Sequence, residues 1–234
     1  MGKISIVIAT YNGSNFFHAQ MKSILAYIGK NDEIVISDDN SDTTFVRILN
    51  DYMLMDHRIK VVFNKLKGVI SNFENGLINT KNEYIFLCDQ DDIWFSTKIQ
   101  KYMEVFYSSD VDLISSGVIS FDENLNNETK SLFPKYGFLR NFYSNTFIGH
   151  TLAFKRNLLS YFLPFPQLIP MHDHWIILLS HVLNLKIKII KEPLAFYRRH
   201  TNAVTFNKKT SIFSKIKSRA YLIWVLFQRF LEVR

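Results

Sequence analysis

Short apolar runs rich in β-branched residues alternate with amphipathic stretches through the first half of the chain, and this alternation narrows the fold more than any other feature. Residues 3–9, 33–37, 58–64, 84–88 and 111–121 read as strands. Residues 14–28, 43–55, 69–79 and 95–107 read as helices between them, with Asn12 or Ser14 available to cap the first. Strands separated by helices of this length form βαβ units and a mostly parallel sheet covered on both faces. Right-handed crossovers bring the C-terminal strand ends to one edge, and ligands of such sheets bind outside it. Three of those ends are polar: Thr10-Tyr11-Asn12, Asp38-Asp39 and Asp89-Gln90-Asp91-Asp92. The pattern predicts an α/β fold with a polar site along one edge.

Beyond Asp122 the alternation stops. Residues 122–135 are polar and Asn-rich and read as a mobile loop, 147–154 as a strand, and 172–183 as a helix. Residues 186–191 and 194–197 read as two short strands around Pro193, and 211–232 as a terminal helix. A length of 234 residues, 47% of them hydrophobic, supports one large domain with a C-terminal appendage and excludes wholesale disorder. The lone cysteine, Cys88, permits no intrachain disulfide and suits a reducing compartment. Residues 1–10 carry one lysine and a short apolar run with no small-residue cleavage site, so they read as a first strand and not as a signal peptide. No run reaches the ~18–20 apolar residues of a spanning helix.

The acidic cluster carries the first chemical argument. Alternate side chains at a strand end share a face, so Asp89 and Asp91 can converge on one point. Hard carboxylate oxygens suit Mg2+ or Mn2+, which bind through one or two carboxylates plus substrate phosphates. A solvated acidic turn is the plainer alternative for an isolated Asp-x-Asp. Here the cluster follows an apolar strand and two earlier polar strand ends, which favours a site.

The ordered set Ile4-Ser5-Ile6-Val7-Ile8-Ala9-Thr10-Tyr11-Asn12, then Ile36-Ser37-Asp38-Asp39-Asn40-Ser41, then Asp89-Gln90-Asp91-Asp92, resembles the family 2 glycosyltransferases of the GT-A fold. It is similar in particular to rhamnosyltransferase-like members of bacterial surface-polysaccharide synthesis. The resemblance covers about residues 3–205 and implies a Rossmann-like sheet with a nucleotide-sugar half (1–121) and an acceptor half (122–205). It implies that Thr10, Tyr11 and Asn12 line the nucleotide pocket, that Asp39 accepts from a uracil or thymine N–H, and that Asp89 contacts the ribose. Asp91 would bind the metal beneath the diphosphate, with Asp38 and Asp92 in support. Asn40 stands where family members often carry glycine, a change Asn tolerates in a left-handed turn. Without the resemblance, Tyr11 reads equally well as a core aromatic.

The resemblance extends to two later segments. In Met171-His172-Asp173-His174-Trp175 it makes Asp173 the general base, although an acid at a helix start also serves as a dipole partner. Trp175 would pack beneath the site or stack on the acceptor, and His172 and His174 read as surface residues. In Tyr197-Arg198-Arg199-His200 it places Arg198 or Arg199 near the diphosphate and His200 on the metal with Asp91. Gly149 and His150 resemble an acceptor-side loop. The implied reaction is inverting transfer of rhamnose or a hexose from a dTDP- or UDP-sugar to a glycan hydroxyl, with a lipid-linked acceptor as the expectation.

The formal charge of +7 is local: residues 208–234 hold seven Lys and Arg against Glu232, a net +6. A nucleic-acid-binding surface would spread its basicity more widely. In this tail Ile212, Phe213, Ile216, Ala220, Ile223, Trp224, Phe227 and Leu231 recur at three- and four-residue intervals, the pattern of a basic amphipathic helix at an anionic membrane surface. Packing back on the domain, or on a second copy in a homodimer, is the alternative. The expectation is a cytoplasmic enzyme peripheral to the inner membrane face. A sugar nucleotidyltransferase would carry a Gly- and Arg-rich loop after the first strand, which Thr10-Tyr11-Asn12-Gly13-Ser14 lacks, and no P-loop motif occurs. A non-catalytic scaffold with a membrane-binding tail is the remaining alternative, separable by donor turnover.

Overall fold

The computed structural model describes residues 2–121, 128–199 and 212–233. Strands β1 (Ile4–Thr10), β2 (Glu33–Asp38), β3 (Ile59–Phe63) and β4 (Tyr84–Asp89) run parallel in the order β3-β2-β1-β4. Helices α1 (Phe17–Leu25), α2 (Thr43–Met55) and α3 (Val69–Ile78) connect them. Beyond β4 come β5 (Ile93–Trp94), α4 (Lys98–Ser108), β6 (Leu113–Phe121), β7 (Glu128–Leu132), α5 (Phe138–Tyr143), β8 (Ala153–Lys155), α6 (Leu159–Phe162), α7 (His172–Val182), β9 (Ile187–Arg198) and α8 (Ile212–Glu232). Strand β8 inserts antiparallel between β4 and β6, β9 lies parallel to β6, and β5 and β7 pair antiparallel with β9 and β6. The result is a mixed sheet in which six of the nine strands share one direction.

Alternation along β1 builds both halves of the core. Ile4, Ile6 and Ile8 pack with Phe17, Met21 and Ile24 of α1, Phe45 and Leu49 of α2, and Tyr102 and Met103 of α4. Val7 and Ala9 face Phe73 and Leu77 of α3, with Trp175 and Ile176 of α7 and Leu222, Val225 and Leu226 of α8 in the same cluster. Burial on both faces explains why the central runs Ile6–Ala9 of β1 and Ile34–Ile36 of β2 are apolar and do not alternate.

Several sequence expectations need correction. Neither Asn12 nor Ser14 caps α1, whose N-cap is Phe16 without a side-chain bond. The Asn12 Oδ1 instead accepts from Asp42 N–H at 2.9 Å, and Asp42 Oδ1 caps α2 through Phe45 N–H at 2.8 Å. The expected helix over 95–107 starts at Lys98, because Phe95 N–H bonds to Leu194 beside the β5–β9 pairing. The 147–154 region is a 3₁₀ turn (Gly149–Thr151) followed by the shorter β8. Part of the expected loop over 122–135 is strand β7; residues 122–127 lie outside the described residues. The two strands expected around Pro193 are one, β9, with the register against β6 shifting near Gly117 and Pro193. A bulge is where a sheet tolerates a residue without an N–H.

Candidate active site

The loops after β1, β2 and β4 meet at one edge. Thr10, buried at the end of β1, donates to Asp38 Oδ2 at 2.9 Å. Asp38 also accepts from Ser41 N–H at 2.8 Å and Ser41 Oγ at 2.6 Å, so this carboxylate holds the turn together. Its neighbour Asp39 faces the opposite way in the pleat, accepting from Asn64 Nδ2 at 2.8 Å and Gly68 N–H at 2.9 Å. Gln90 ties the first and fourth strand ends together: its Oε1 accepts from Tyr11 N–H at 2.8 Å and its Nε2 donates to Tyr11 O at 3.0 Å.

A cleft of about 400 Å³ opens above these ends. Thr10, Tyr11, Asp39, Asp89, Asp91, Gly149, Asp173 and Arg198 all line it, together with Asn72, Gln90 and His172. The expected site residues thus converge from β1, β2, β4, α7 and β9. Tyr11 is 58% exposed, which removes the core-aromatic alternative. Asn12 is absent from the lining; its N–H and Oδ1 serve Ser41 and Asp42 at a left-handed turn with φ of 47°. Arg199 is exposed outside the cleft, its N–H bonded to Phe121 O. His200 lies outside the described residues.

Burial corrects the readings of His150, His172 and His174 and decides between the two given for Trp175. His150, expected toward the acceptor, is fully buried with its Nδ1 against Asp92 and 3.6 Å from Asp89. Trp175 is also fully buried and donates to Phe162 O at 2.9 Å, so it packs beneath the site and cannot stack on a substrate. His172 and His174 are core residues, not surface ones: His172 stacks on Phe73 with centroids 3.8 Å apart, and His174 Nε2 lies 2.8 Å from Asn141 O. Burial pushes both imidazoles down to about 4.

Asp173 stands in the first turn of α7 and is only 8% exposed. Burial lifts its carboxyl to about 7, against the pull of the His174 N–H, which donates to Oδ1 at 2.6 Å. A carboxylate poised near neutrality in a cleft is suited to take a proton at physiological pH.

The donor atoms of Asp89, Asp92 and His150 fall within 4.8 Å of one another, a spacing that can hold a metal ion. Burial opposes charge on His150, but the charge of Asp92 and the hydrogen bonds that the Asp89 and Asp92 carboxylates accept push the imidazole up to about 9. Without a metal, His150 and Asp92 form a buried ion pair, extended by Arg198 N–H donating to Asp92 Oδ1 at 3.1 Å. Lys98, also buried, donates to His150 O at 2.7 Å. Within the acidic loop, Asp89 and Asp91 line the cleft, and their hard oxygens fit Mn2+ or Mg2+. Arg198 adds a positive charge at the same wall, its Nε donating to Asp91 O at 3.0 Å and its guanidinium 4.5 Å over Phe16.

The Gln90 clamp, Lys98 and Asn72 were not named as site residues; His150 and Asp92 were, but not as partners of each other. Gln90 lay inside the acidic motif, and nothing local marks Lys98 or Asn72.

A sheet edge that gathers Asp39, Asp89, Asp91, Asp173 and Arg198 in one cleft suits a group-transfer enzyme of the α/β class. The chain belongs to glycosyl transferase family 2, whose model matches residues 5–162, and it is a glycosyltransferase. It is 28% identical over 212 residues to dTDP-rhamnosyl transferase RfbG of Shigella flexneri, covering 83% of this chain and 72% of that one. It is 29% identical over 222 residues to the Escherichia coli enzyme WfaP, a UDP-Glc:alpha-D-GlcNAc-diphosphoundecaprenol beta-1,3-glucosyltransferase, covering 89% and 82%. Other relatives are longer, and the chain spans 40% and 18% of two of them. The fold matches that of the mannosyltransferase PcManGT from Pyrobaculum calidifontis, solved with GDP-Man and Mn2+, at a TM-score of 0.67 and 12% identity over 98% of this chain and 72% of that one.

Proposed function

We propose that the chain is an inverting, metal-dependent glycosyltransferase that moves rhamnose or a hexose from a dTDP- or UDP-sugar to a hydroxyl of a lipid-linked glycan in bacterial polysaccharide synthesis. One observation carries the reading: Asp39 after β2, Asp89 and Asp91 at the end of β4, and Asp173 of α7 line a single cleft. The donors named for RfbG and WfaP are pyrimidine nucleotides, and the WfaP acceptor is a lipid diphosphate sugar.

In this reading Asp39 receives the N–H of the base, the second lone pair of each oxygen remaining beside the bonds from Asn64 and Gly68. Asp89 meets the ribose, and Asp89 with Asp91 would hold Mn2+ or Mg2+. That ion supplies charge neutralisation for the departing nucleoside diphosphate. Arg198 contributes further positive charge from the cleft wall. Asp173 accepts the proton of the acceptor hydroxyl as its oxygen attacks the anomeric carbon from the face opposite the diphosphate. The buried Asp92–His150 pair fixes the backbone that carries Asp89 and Asp91, and the Gln90 clamp fixes Tyr11.

A groove of about 1080 Å³ shares Gly68, Val69 and Met171 with the cleft and runs between α3, residues 164–171 and α8. It gives an extended glycan a path toward Asp173. Helix α8 seats Leu222, Val225 and Leu226 against the domain and leaves Ile223, Trp224, Phe227 and Leu231 exposed. Packing on the domain and an outward apolar stripe thus coexist, and the stripe supports contact with an anionic membrane. No helix among the described residues is long and apolar enough to cross one.

A thermal-shift screen of UDP, dTDP, GDP and their sugar conjugates, with and without Mn2+, tests the core of the reading. Stabilisation by pyrimidine nucleotides that grows with Mn2+ is the expected result. A flat response to every nucleotide would overturn it.

A further inference from the structure

Two buried polar side chains in the cleft carry atoms without partners. His172, 3% exposed, has neither ring nitrogen hydrogen-bonded among the described residues. Asn72, 2% exposed, uses its Nδ2 to donate to Thr10 O at 3.0 Å and leaves Oδ1 without a partner. Both line the cleft. Buried polar atoms in folded proteins are satisfied as a rule, so each exception needs a reason.

Packing does not supply that reason. The His172 ring stacks on Phe73, a contact a phenyl ring would make as well. Its Nε2 approaches Gly149 so closely that a Cβ there would stand 2.9 Å away. A side chain at 149 would collide with that nitrogen, so the glycine is what lets the His172 ring stand at the cleft with no bond to the protein among the described residues. Burial also keeps the ring neutral, so it offers one donor and one acceptor, and Asn72 Oδ1 offers a further acceptor. A sugar hydroxyl donates one hydrogen bond and accepts others, which is the complement of this set. A phosphate only accepts, and would leave Asn72 Oδ1 unsatisfied.

Position selects which sugar. Asn72 is tied to the last carbonyl of β1, at the nucleotide side, while His172 precedes Asp173 and lies within the field of Asp89. The two therefore flank the zone between the diphosphate-side carboxylates and the base.

We propose that His172 and Asn72 recognise hydroxyls of the transferred sugar and so set which sugar the enzyme accepts. The proposal rests on the glycosyltransferase reading above, and its test separates the two. Titration calorimetry in Mn2+ compares UDP and dTDP with UDP-glucose and dTDP-rhamnose, on wild type, His172→Phe and Asn72→Ser. His172→Phe keeps the stacking ring, and thermal unfolding verifies that each variant is folded.

The expected result is that each variant binds the preferred sugar nucleotide about tenfold more weakly while its affinity for the bare nucleoside diphosphate is unchanged. A deoxyfluoro series of the preferred sugar then contains one position whose loss weakens wild type but not His172→Phe. Unchanged sugar-nucleotide affinity in both variants overturns the proposal, as does an equal loss for the bare diphosphate. A loss confined to the acceptor KM overturns it too, since the hydroxyl would then belong to the other substrate. Wild type binding none of the four nucleotides would instead bring down the parent reading.

Discussion

Replacing Asp173 with Asn should produce an enzyme that is both inactive and more stable, by an amount that depends on pH. Burial raises the Asp173 carboxyl from an ordinary 3.8 to about 7. Folding therefore disfavours its charged form, so the stability cost is nearly absent below pH 3.8, grows as the unfolded chain ionises, and levels off above about pH 7. At about 1.4 kcal/mol per pKa unit, the cost is on the order of 4 kcal/mol at pH 8 and 2 kcal/mol at pH 5. Asn is neutral throughout and keeps an oxygen for the His174 N–H, so it escapes this cost. The gain in urea midpoint of Asp173→Asn over wild type should thus be larger at pH 8 than at pH 5 by roughly 1 M. Turnover should meanwhile fall by about 10²–10⁴ through loss of the base. In wild type, kcat should rise with pH up to about 7, because the base works only when ionised. A stability gain that is the same at both pH values would refute the buried-carboxylate argument. Near-wild-type turnover would refute the base assignment.

Asp91→Asn should cut transfer at least a hundredfold, and EDTA should silence wild type until Mn2+ is restored; activity intact in EDTA would remove the cation. Gly149→Ala places a methyl 2.9 Å from His172 Nε2. It should cost about 1–3 kcal/mol of stability and lower kcat/KM, read by urea titration and initial rates. Gln90→Ala removes both bonds to the Tyr11 backbone and should raise the donor KM severalfold with little change in the acceptor KM. Ile223→Ala with Phe227→Ala, both exposed on α8 outside the groove, should weaken sedimentation with phosphatidylglycerol vesicles while leaving turnover of a soluble acceptor unchanged.

What the sequence disclosed, and what it hid, follows from the range of the interactions. Helix α2 lies at Thr43–Met55, where periodicity places it, because its apolar face is local. The three polar strand ends were legible for the same reason: βαβ chirality alone sends them to one edge. Strand β5 was not, since Ile93 and Trp94 are a strand only through Phe196 and Ala195. Polar residues beside motifs misled most. His172 and His174 read as surface residues, and His150 as an acceptor-side one, until Phe73, Asn141 and Asp92, distant in the chain, close around them. Trp175 offered two readings, and only the carbonyl of Phe162 decides between them.

The three residues of β8 have an effect out of proportion to their number. They seal the edge of β4, align β6 beside it, and follow directly on the turn that delivers His150 to Asp92. A nascent chain that has emerged only as far as residue 121 has made the acidic loop but holds a bare strand edge and an uncompensated buried carboxylate. Such a fragment is prone to edge-to-edge association. The acidic loop gains its His150 partner and β4 its neighbour only once the chain has been made past residue 155.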